Sequence, residues 1–265
     1  MYSVQILISF SQTDNIKLLE RAADYMPKFF TEKITDNVAV ITGEDAEHIA
    51  RVLRMRVGEP LTVCDLKGTD YESEITSVSL TEVILKITNS RPSAAEPTVC
   101  VTLFQGLPKA DKMELIVQKC VELGVTAIVP VITTRCVSRP DEAALNRKVE
   151  RWGKIAQEAA KQSGRGILPK VKAAISFEIA VEQLAKIKTS IMFYEKSTVS
   201  LKEILSVTLS EIGILIGPEG GFEKEEAEYA QRLGIQLSSL GPRILRTETA
   251  PICALSAIMF ATGNL

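Results

Sequence analysis

The chain has 265 residues, 46% of them hydrophobic and 24% charged, with a formal net charge of −2. This composition excludes a disordered chain and leaves room for one or two domains with an ample core. The near-neutral balance argues against indiscriminate coating of nucleic acid but permits a local basic face.

Five cysteines, Cys64, Cys100, Cys120, Cys136 and Cys253, are widely spaced and form no CxxC. That spacing argues against a disulfide framework or a zinc site and fits a reducing compartment, here the cytoplasm. His48 is the single histidine, so no multi-histidine metal site can form and no metal is expected. A Ser-His-Asp triad would have one candidate histidine and no nucleophile motif beside it. No apolar run reaches the length of a membrane span, and no membrane partner is expected. Residues 1–10 are apolar but lack the basic start and cleavage pattern of a signal peptide.

Residues 26–90 read as β-rich. Short strands are expected at 38–41, 61–64, 71–75 and 83–87, separated by Gly58-Glu59-Pro60 and by the turn Lys67 to Asp70. One helix is expected over 44–53, capped by Thr42 or Gly43. A small barrel with one helix accommodates this pattern. The helix ends in a compact basic cluster, Arg51, Arg54 and Arg56. That cluster suits either phosphate contact with RNA or an ordinary solvated helix terminus. His48 reads as a packing or hydrogen-bonding residue. The polar, proline-bearing run at 89–97 reads as a linker and the best domain boundary.

From Thr98 strand and helix alternate. Strands are expected at 99–104, 127–132, 189–194, 212–216 and 235–240. Helices are expected at 111–123, 142–162 and 223–233. This alternation argues for a mostly parallel sheet covered on both faces. The stretch 131–172 holds ten cations against four acids, a net of +6, which suits a basic face on an acidic protein. Trp152 reads as core or as part of a subunit interface.

Two late motifs organise the domain. Gly217-Pro218-Glu219-Gly220-Gly221 follows a short buried strand and precedes a helix with an acidic first turn. Glycines at the carboxyl end of a strand let a ligand approach the backbone, and in open α/β sheets ligands sit at that edge. The alternative is a tight turn and nothing more. The second motif, Leu240-Gly241-Pro242-Arg243-Ile244-Leu245-Arg246-Thr247-Glu248-Thr249-Ala250, places two arginines three apart after another strand. A guanidinium there is either solvated or holds something anionic.

Together GPEGGF and LGPRILRTETAP resemble the bacterial ribosomal small-subunit methyltransferase E family, of the SPOUT class. The likeness runs from Met26 onward. Lys109-Ala110-Asp111-Lys112-Met113-Glu114 through Gly124-Val125 resembles the family's K-x-x-K-M-E…E-L-G-V block. Ala159-Ala160-Lys161-Gln162-Ser163-Gly164-Arg165 resembles its A-A-E-Q-S-G-R segment, with Lys161 in place of the usual Glu.

The resemblance implies an α/β fold: a knotted, mostly parallel SPOUT sheet over 98–265, preceded by a PUA-like β-barrel over 26–90 and a linker at 91–97. It also implies that residues 1–25 are an upstream extension; the alternative is a genuine extra helix at 15–25. The implied activity is S-adenosylmethionine-dependent methylation of N3 of a uridine in 16S ribosomal RNA, by a cytoplasmic homodimer acting on the RNA or on the assembled small subunit. Rival readings are another SPOUT specificity and an RNA-binding assembly factor without catalysis.

By the same resemblance Ile216, Gly217, Gly220, Gly221, Leu240, Gly241, Ile244, Leu245 and Thr247 hold the cofactor. Arg246, with Arg243 second, stabilises charge developing on the uracil ring. Glu219 or Glu248 assists proton removal or else merely pairs an arginine, and the general base is left unassigned. Arg51, Arg54, Arg56, Lys109, Lys112, Arg135 and Arg165 contact RNA.

Overall fold

The structure is a computed structural model that describes residues 27–205 and 209–265. The expected extension at 1–25 lies outside the described residues. The chain divides into two compact units. The first runs to Pro92 apart from Leu66–Gly68, and the second comprises Leu66–Gly68 and Ser93–Leu265.

In the first unit six strands form one sheet: β1 (Lys28–Phe30), β2 (Ile34–Thr35), β3 (Val38–Thr42), β4 (Pro60–Cys64), β5 (Thr69–Val78) and β6 (Glu82–Pro92). Their order is β1-β4-β5-β6-β3-β2, antiparallel except for the β1–β4 pair. Two register shifts between β5 and β6, at Glu72/Ser73 and Ile75/Ser77, bend the long hairpin. Alternate residues of the strands, among them Ala39, Ile41, Leu61, Val63, Val83 and Leu85, are buried and close one apolar cluster. Ile49 joins that cluster, and His48 packs its ring 6.1 Å from that of Phe29.

Two expectations change here. The helix foreseen at 44–53 is α-helical only over α1 (Glu44–Glu47) and then widens into a π turn, His48–Val52. Leu53 N donates to His48 O at 3.0 Å, and Arg54 takes a positive φ of 55° that ends the turn. The segment read as a linker is also partly strand. Asn89, Ser90, Arg91 and Pro92 pair with Glu72, Tyr71, Asp70 and Thr69 on β5, because the ladder satisfies backbone groups that a polar composition alone leaves unassigned.

The second unit carries β7 (Cys100–Gly106), α2 (Lys112–Glu122), β8 (Ala127–Ile132), α3 (Glu142–Gln162), β9 (Lys170–Val171), β10 (Ile175–Ser176), α4 (Phe177–Leu184), β11 (Ser190–Phe193), α5 (Leu201–Ile204), β12 (Glu211–Ile216), α6 (Lys224–Arg232), β13 (Gln236–Ser238) and α7 (Thr249–Ala261). The sheet is parallel throughout, in the order β10-β8-β7-β12-β11-β13, with β9 also on β8. Its central strands are buried on both faces, so they read as continuous apolar runs.

Local chemistry starts the helices. The Asp141 carboxylate accepts from Ala144 N at 2.7 Å at the start of α3. Glu223 and Glu226 make a capping box on α6. Pro251 falls in the first turn of α7, where its missing N–H costs nothing. Two apolar clusters cover the two sheet faces. Met113, Ile116, Val117 and Cys120 of α2 and Trp152 of α3 lie in the larger one. Each fully buried isoleucine or leucine among these contributes roughly 1.5–3 kcal/mol. Trp152 is therefore core.

Candidate active site

Four parallel strands end at one edge of the sheet, and the segments that follow them enclose a cavity of about 750 Å³. Lys112 of α2 lies beyond β7. Beyond β12 come Gly217, Pro218, Glu219, Gly220 and Gly221. Beyond β11 come Tyr194, Glu195 and Ser197, and beyond β13 the run from Ser239 to Thr247. This is the carboxyl edge of a parallel sheet, where open α/β folds bind their ligands.

The turn after β12 is shaped by what cannot fit beside it. A Cβ on Gly106, at the end of β7, would meet Pro218 Cδ at 2.6 Å and Pro218 N at 2.7 Å. Only glycine lets the two chains approach this closely. Gly221 has a φ of 66°, the left-handed region that L side chains avoid.

The two late motifs are tied together by buried polar groups. Thr247 Oγ1 donates to Gly217 O at 2.8 Å and accepts from Gln105 Nε2 at 3.2 Å. Gln105 is fully buried at the end of β7. A second brace comes from the loop after β8. Arg135 Nε and Nη2 each lie 2.7 Å from an oxygen of Glu223, and Nη1 donates to Gly220 O at 2.9 Å. Thr134 N donates to Glu226 Oε1 at 3.0 Å.

Charge is concentrated at Lys112. Its ammonium lies 3.0 Å from Glu219 Oε1 and 3.1 Å from Glu248 Oε2. Lys109 N donates to both Glu219 oxygens, at 3.1 and 3.3 Å. Burial alone would raise the pKa of Glu219, but its own N–H, the Lys112 ammonium and the Lys109 N–H outweigh that and hold the carboxyl below its ordinary value. Burial likewise opposes ionisation of Glu248, and its own N–H, Lys112 and Arg246 reverse the sign. Glu219 and then Glu248 raise the Lys112 pKa in turn.

Arg243 and Arg246 border the same cavity, exposed, and neither guanidinium makes a hydrogen bond or ion pair with any described residue. They are placed to meet an anionic or electron-rich group.

All the residues expected around the cofactor, Ile216, Gly217, Gly220, Gly221, Leu240, Gly241, Ile244, Leu245 and Thr247, line this cavity. Ile244 does so at its rim, 88% exposed.

One of the expected RNA contacts is corrected, and two are found engaged within the protein. Arg165 is 3% exposed; it pairs with both oxygens of Glu96 and donates to Val121 O and Val125 O, so no face remains for a phosphate. Arg135 spends its three nitrogens on Glu223 and Gly220. Lys112 stands in the cavity wall between two carboxylates. Arg51, Arg54, Arg56 and Lys109 are exposed, Arg51 with Glu47 as its ion-pair partner. The pairing foreseen for Glu219 exists, but its cation is a lysine.

Sequence reasoning missed Gln105, Gly106, Tyr194 and Glu195. Gln105 had a signal, as the one amide at the end of an apolar strand. Glu195 had none, because only the strand order places the end of β11 between the two glycine loops.

An RNA methyltransferase domain model matches residues 95–259, and an RNA methyltransferase PUA domain model matches residues 41–88. A Bacillus subtilis protein named ribosomal RNA small subunit methyltransferase E is 38% identical over 232 residues, 85% of this chain and 91% of its own. A Synechocystis protein of the same name is 34% identical, over 86% of this chain and 74% of its own. A Neisseria gonorrhoeae ribosomal RNA small subunit methyltransferase E, solved bound to S-adenosyl methionine, is 31% identical with a TM-score of 0.75, covering 89% of this chain and 98% of that one. A parallel sheet whose carboxyl edge closes two glycine loops on a cavity, together with likeness across both units to proteins of one name, places this chain in the ribosomal RNA small subunit methyltransferase E family.

Proposed function

We propose that this protein uses S-adenosylmethionine to methylate N3 of a uridine in 16S ribosomal RNA, as a homodimer in the cytoplasm. The observation that carries the reading is the pair of exposed arginines, Arg243 and Arg246, on the wall of a cavity that glycine turns and apolar side chains share with Lys112, Glu195 and Glu219. The residues present fit the cofactor. The cavity falls in the volume range of small-molecule sites, Ile216, Leu240 and Leu245 offer apolar walls for an adenine, and the turns at Gly217 and Gly241 expose backbone groups.

Bound there, the cofactor supplies an electrophilic methyl group. The remaining work belongs to the chain. Uracil N3 carries a proton between two carbonyls, and its loss spreads negative charge onto the ring oxygens. Arg246, with Arg243 second, stabilises that charge as it develops. Glu219 is the proposed proton acceptor, kept ionised by Lys112, which also limits its basicity. The target base must leave its stack to reach the cavity.

The exposed Arg51, Arg54, Arg56 and Lys109 are proposed to hold RNA phosphates, with residues 26–90 acting as the RNA-binding domain. Two observations support further structural proposals. Phe260 of α7 is 76% exposed on an otherwise apolar helix, which supports pairing of two copies through that helix. The late strand β12 inserts between β7 and β11, which supports the trefoil knot expected for 98–265.

The test is labelled methyl transfer from S-adenosylmethionine to small ribosomal subunits from a strain lacking this protein, followed by nucleoside analysis. 3-Methyluridine is the expected product. Another methylated nucleoside would replace the specificity, and cofactor binding without incorporation into any RNA would point to an assembly factor.

A further inference from the structure

The four strand ends at the cavity rim follow the order β7, β12, β11, β13. Lys112, with Glu219 and Glu248, therefore lies on the β7 side of the glycine loop. Glu195, two residues past β11, lies on the other side, toward the loop that follows β13.

The Glu195 carboxylate lies on the side of Gly221 where a side chain would project. A Cβ on Gly221 would find Glu195 Oε2 at 3.5 Å, Oε1 at 3.8 Å and Cδ at 3.9 Å. Glu195 is exposed and lines the cavity. Glu195 makes no hydrogen bond or ion pair with any described residue. Arg135 lies near enough to be felt electrostatically, but its donors are committed to Glu223 and Gly220. An exposed carboxylate in the wall of a small-molecule cavity, with neither oxygen hydrogen-bonded to a described residue, offers two acceptors to a ligand's donors.

We propose that Glu195 recognises the vicinal ribose hydroxyls of the adenosyl cofactor. The inference rests on the cofactor reading above and extends it to a specificity-determining residue. The reacting end of the ligand has to face Arg246 and Glu219. The adenine has its apolar walls at Leu240 and Leu245, after β13. The sugar joins the two ends, and a carboxylate placed between the glycine loop and the β13 loop meets it. Two hydroxyl donors match two acceptor oxygens, a charge-assisted arrangement that a cofactor lacking the diol cannot make.

The test is a ligand-by-mutant cycle in the full-length protein. Calorimetric Kd values are measured for S-adenosylhomocysteine and its 2′-deoxyribosyl counterpart, on the wild type, Glu195→Ala and Glu195→Gln. The wild type is expected to prefer the ribose form by roughly tenfold, the scale of one charge-assisted hydrogen bond. Glu195→Ala should abolish the preference, and Glu195→Gln should keep part of it. An Ala variant that retains the full ribose preference overturns the proposal, as does a wild type with none. Equal weakening of both ligands overturns it as well, because a merely loosened loop would change both Kd values and not their ratio. A wild type that binds neither ligand removes the cofactor reading itself, and this inference with it.

Discussion

Lys112 Nζ and Glu219 Oε1 stand 3.0 Å apart, joining the first turn of α2 to the glycine loop after β12. The same ammonium reaches Glu248 at the head of α7. One lysine thus connects the two late motifs, and it holds two carboxylates ionised at the cavity wall.

Replacing Lys112 with Met should lower kcat by roughly tenfold or more, the cost of losing a preorganised charge next to the reacting atoms. The pH profile should move too. Glu219 is now held below its ordinary pKa, so it stays ionised until the pH falls well into the acid range. Without Lys112 its pKa rises and the acid limb of the rate profile shifts to higher pH. A profile that keeps its acid limb would show that Glu219 does not titrate in the reaction.

Arg246→Ala should reduce methyl transfer by about 10²- to 10³-fold while leaving the fold intact. The side chain is exposed and makes no hydrogen bond or ion pair with a described residue, so circular dichroism and the melting temperature should match the wild type. Full activity in single-turnover assays would remove Arg246 from the catalytic machinery.

Arg165→Ala should destabilise the protein by about 3 kcal/mol, because it strands the largely buried Glu96 carboxylate and two carbonyls. The pH dependence has a defined sign. Burial raises the Glu96 pKa, but Arg165 and the N–H groups of Ile167 and Gly166 bring it below the ordinary value. A depressed carboxyl adds stability above its unfolded pKa, and that stability is lost as pH falls through the folded value. Denaturant melts at neutral and acid pH should therefore converge for wild type and variant at the acid end. RNA affinity of the folded variant should be unchanged, in line with a structural role.

Gly106→Ala should weaken cofactor binding while the core remains folded. The added methyl collides with Pro218 backbone and ring at 2.6–2.7 Å, so the loop at 217–221 must shift. Equilibrium binding of S-adenosylmethionine checks this. An unchanged Kd would mean that the loop tolerates displacement.

Thiol labelling of the native protein should divide the cysteines. Burial pushes the Cys120 thiol up to about 12, which leaves almost no thiolate at neutral pH. Cys64 and Cys136 are buried as well, whereas Cys100 and Cys253 are exposed. Mass spectrometry after brief alkylation should find an adduct on Cys100, while Cys253, on the same face of α7 as Phe260, should be labelled in the monomer and protected in the proposed dimer.

Much of the secondary structure is written locally. The helix expected at 142–162 is α3 to the residue, because Asp141 caps it and its apolar positions recur at helical spacing. The buried strands at 127–132 and 212–216 announce themselves as short apolar runs between turns. The π turn after Glu47 was not legible, since helical periodicity does not distinguish i→i+4 from i→i+5 bonding over one turn. Nor did the polar composition at 89–92 reveal a strand, because the partner that satisfies its backbone lies on β5, some twenty residues away.

By itself the sequence determined the two late motifs, the order of strands and helices along the chain, and hence a parallel sheet with glycine turns at its ligand-binding edge. Only the tertiary structure decided which side chains meet there. Arg165 and Arg135 read as surface cations in the sequence, yet they are committed to Glu96 and to Glu223 once distant segments pack. Glu195 carries no motif and becomes a wall residue because β11 lies between β12 and β13. The physical reason is that periodicity and turn chemistry record which face of an element is apolar. The lateral order of strands in a parallel sheet, and so the neighbours of each strand end, is set by long-range packing that no local pattern encodes.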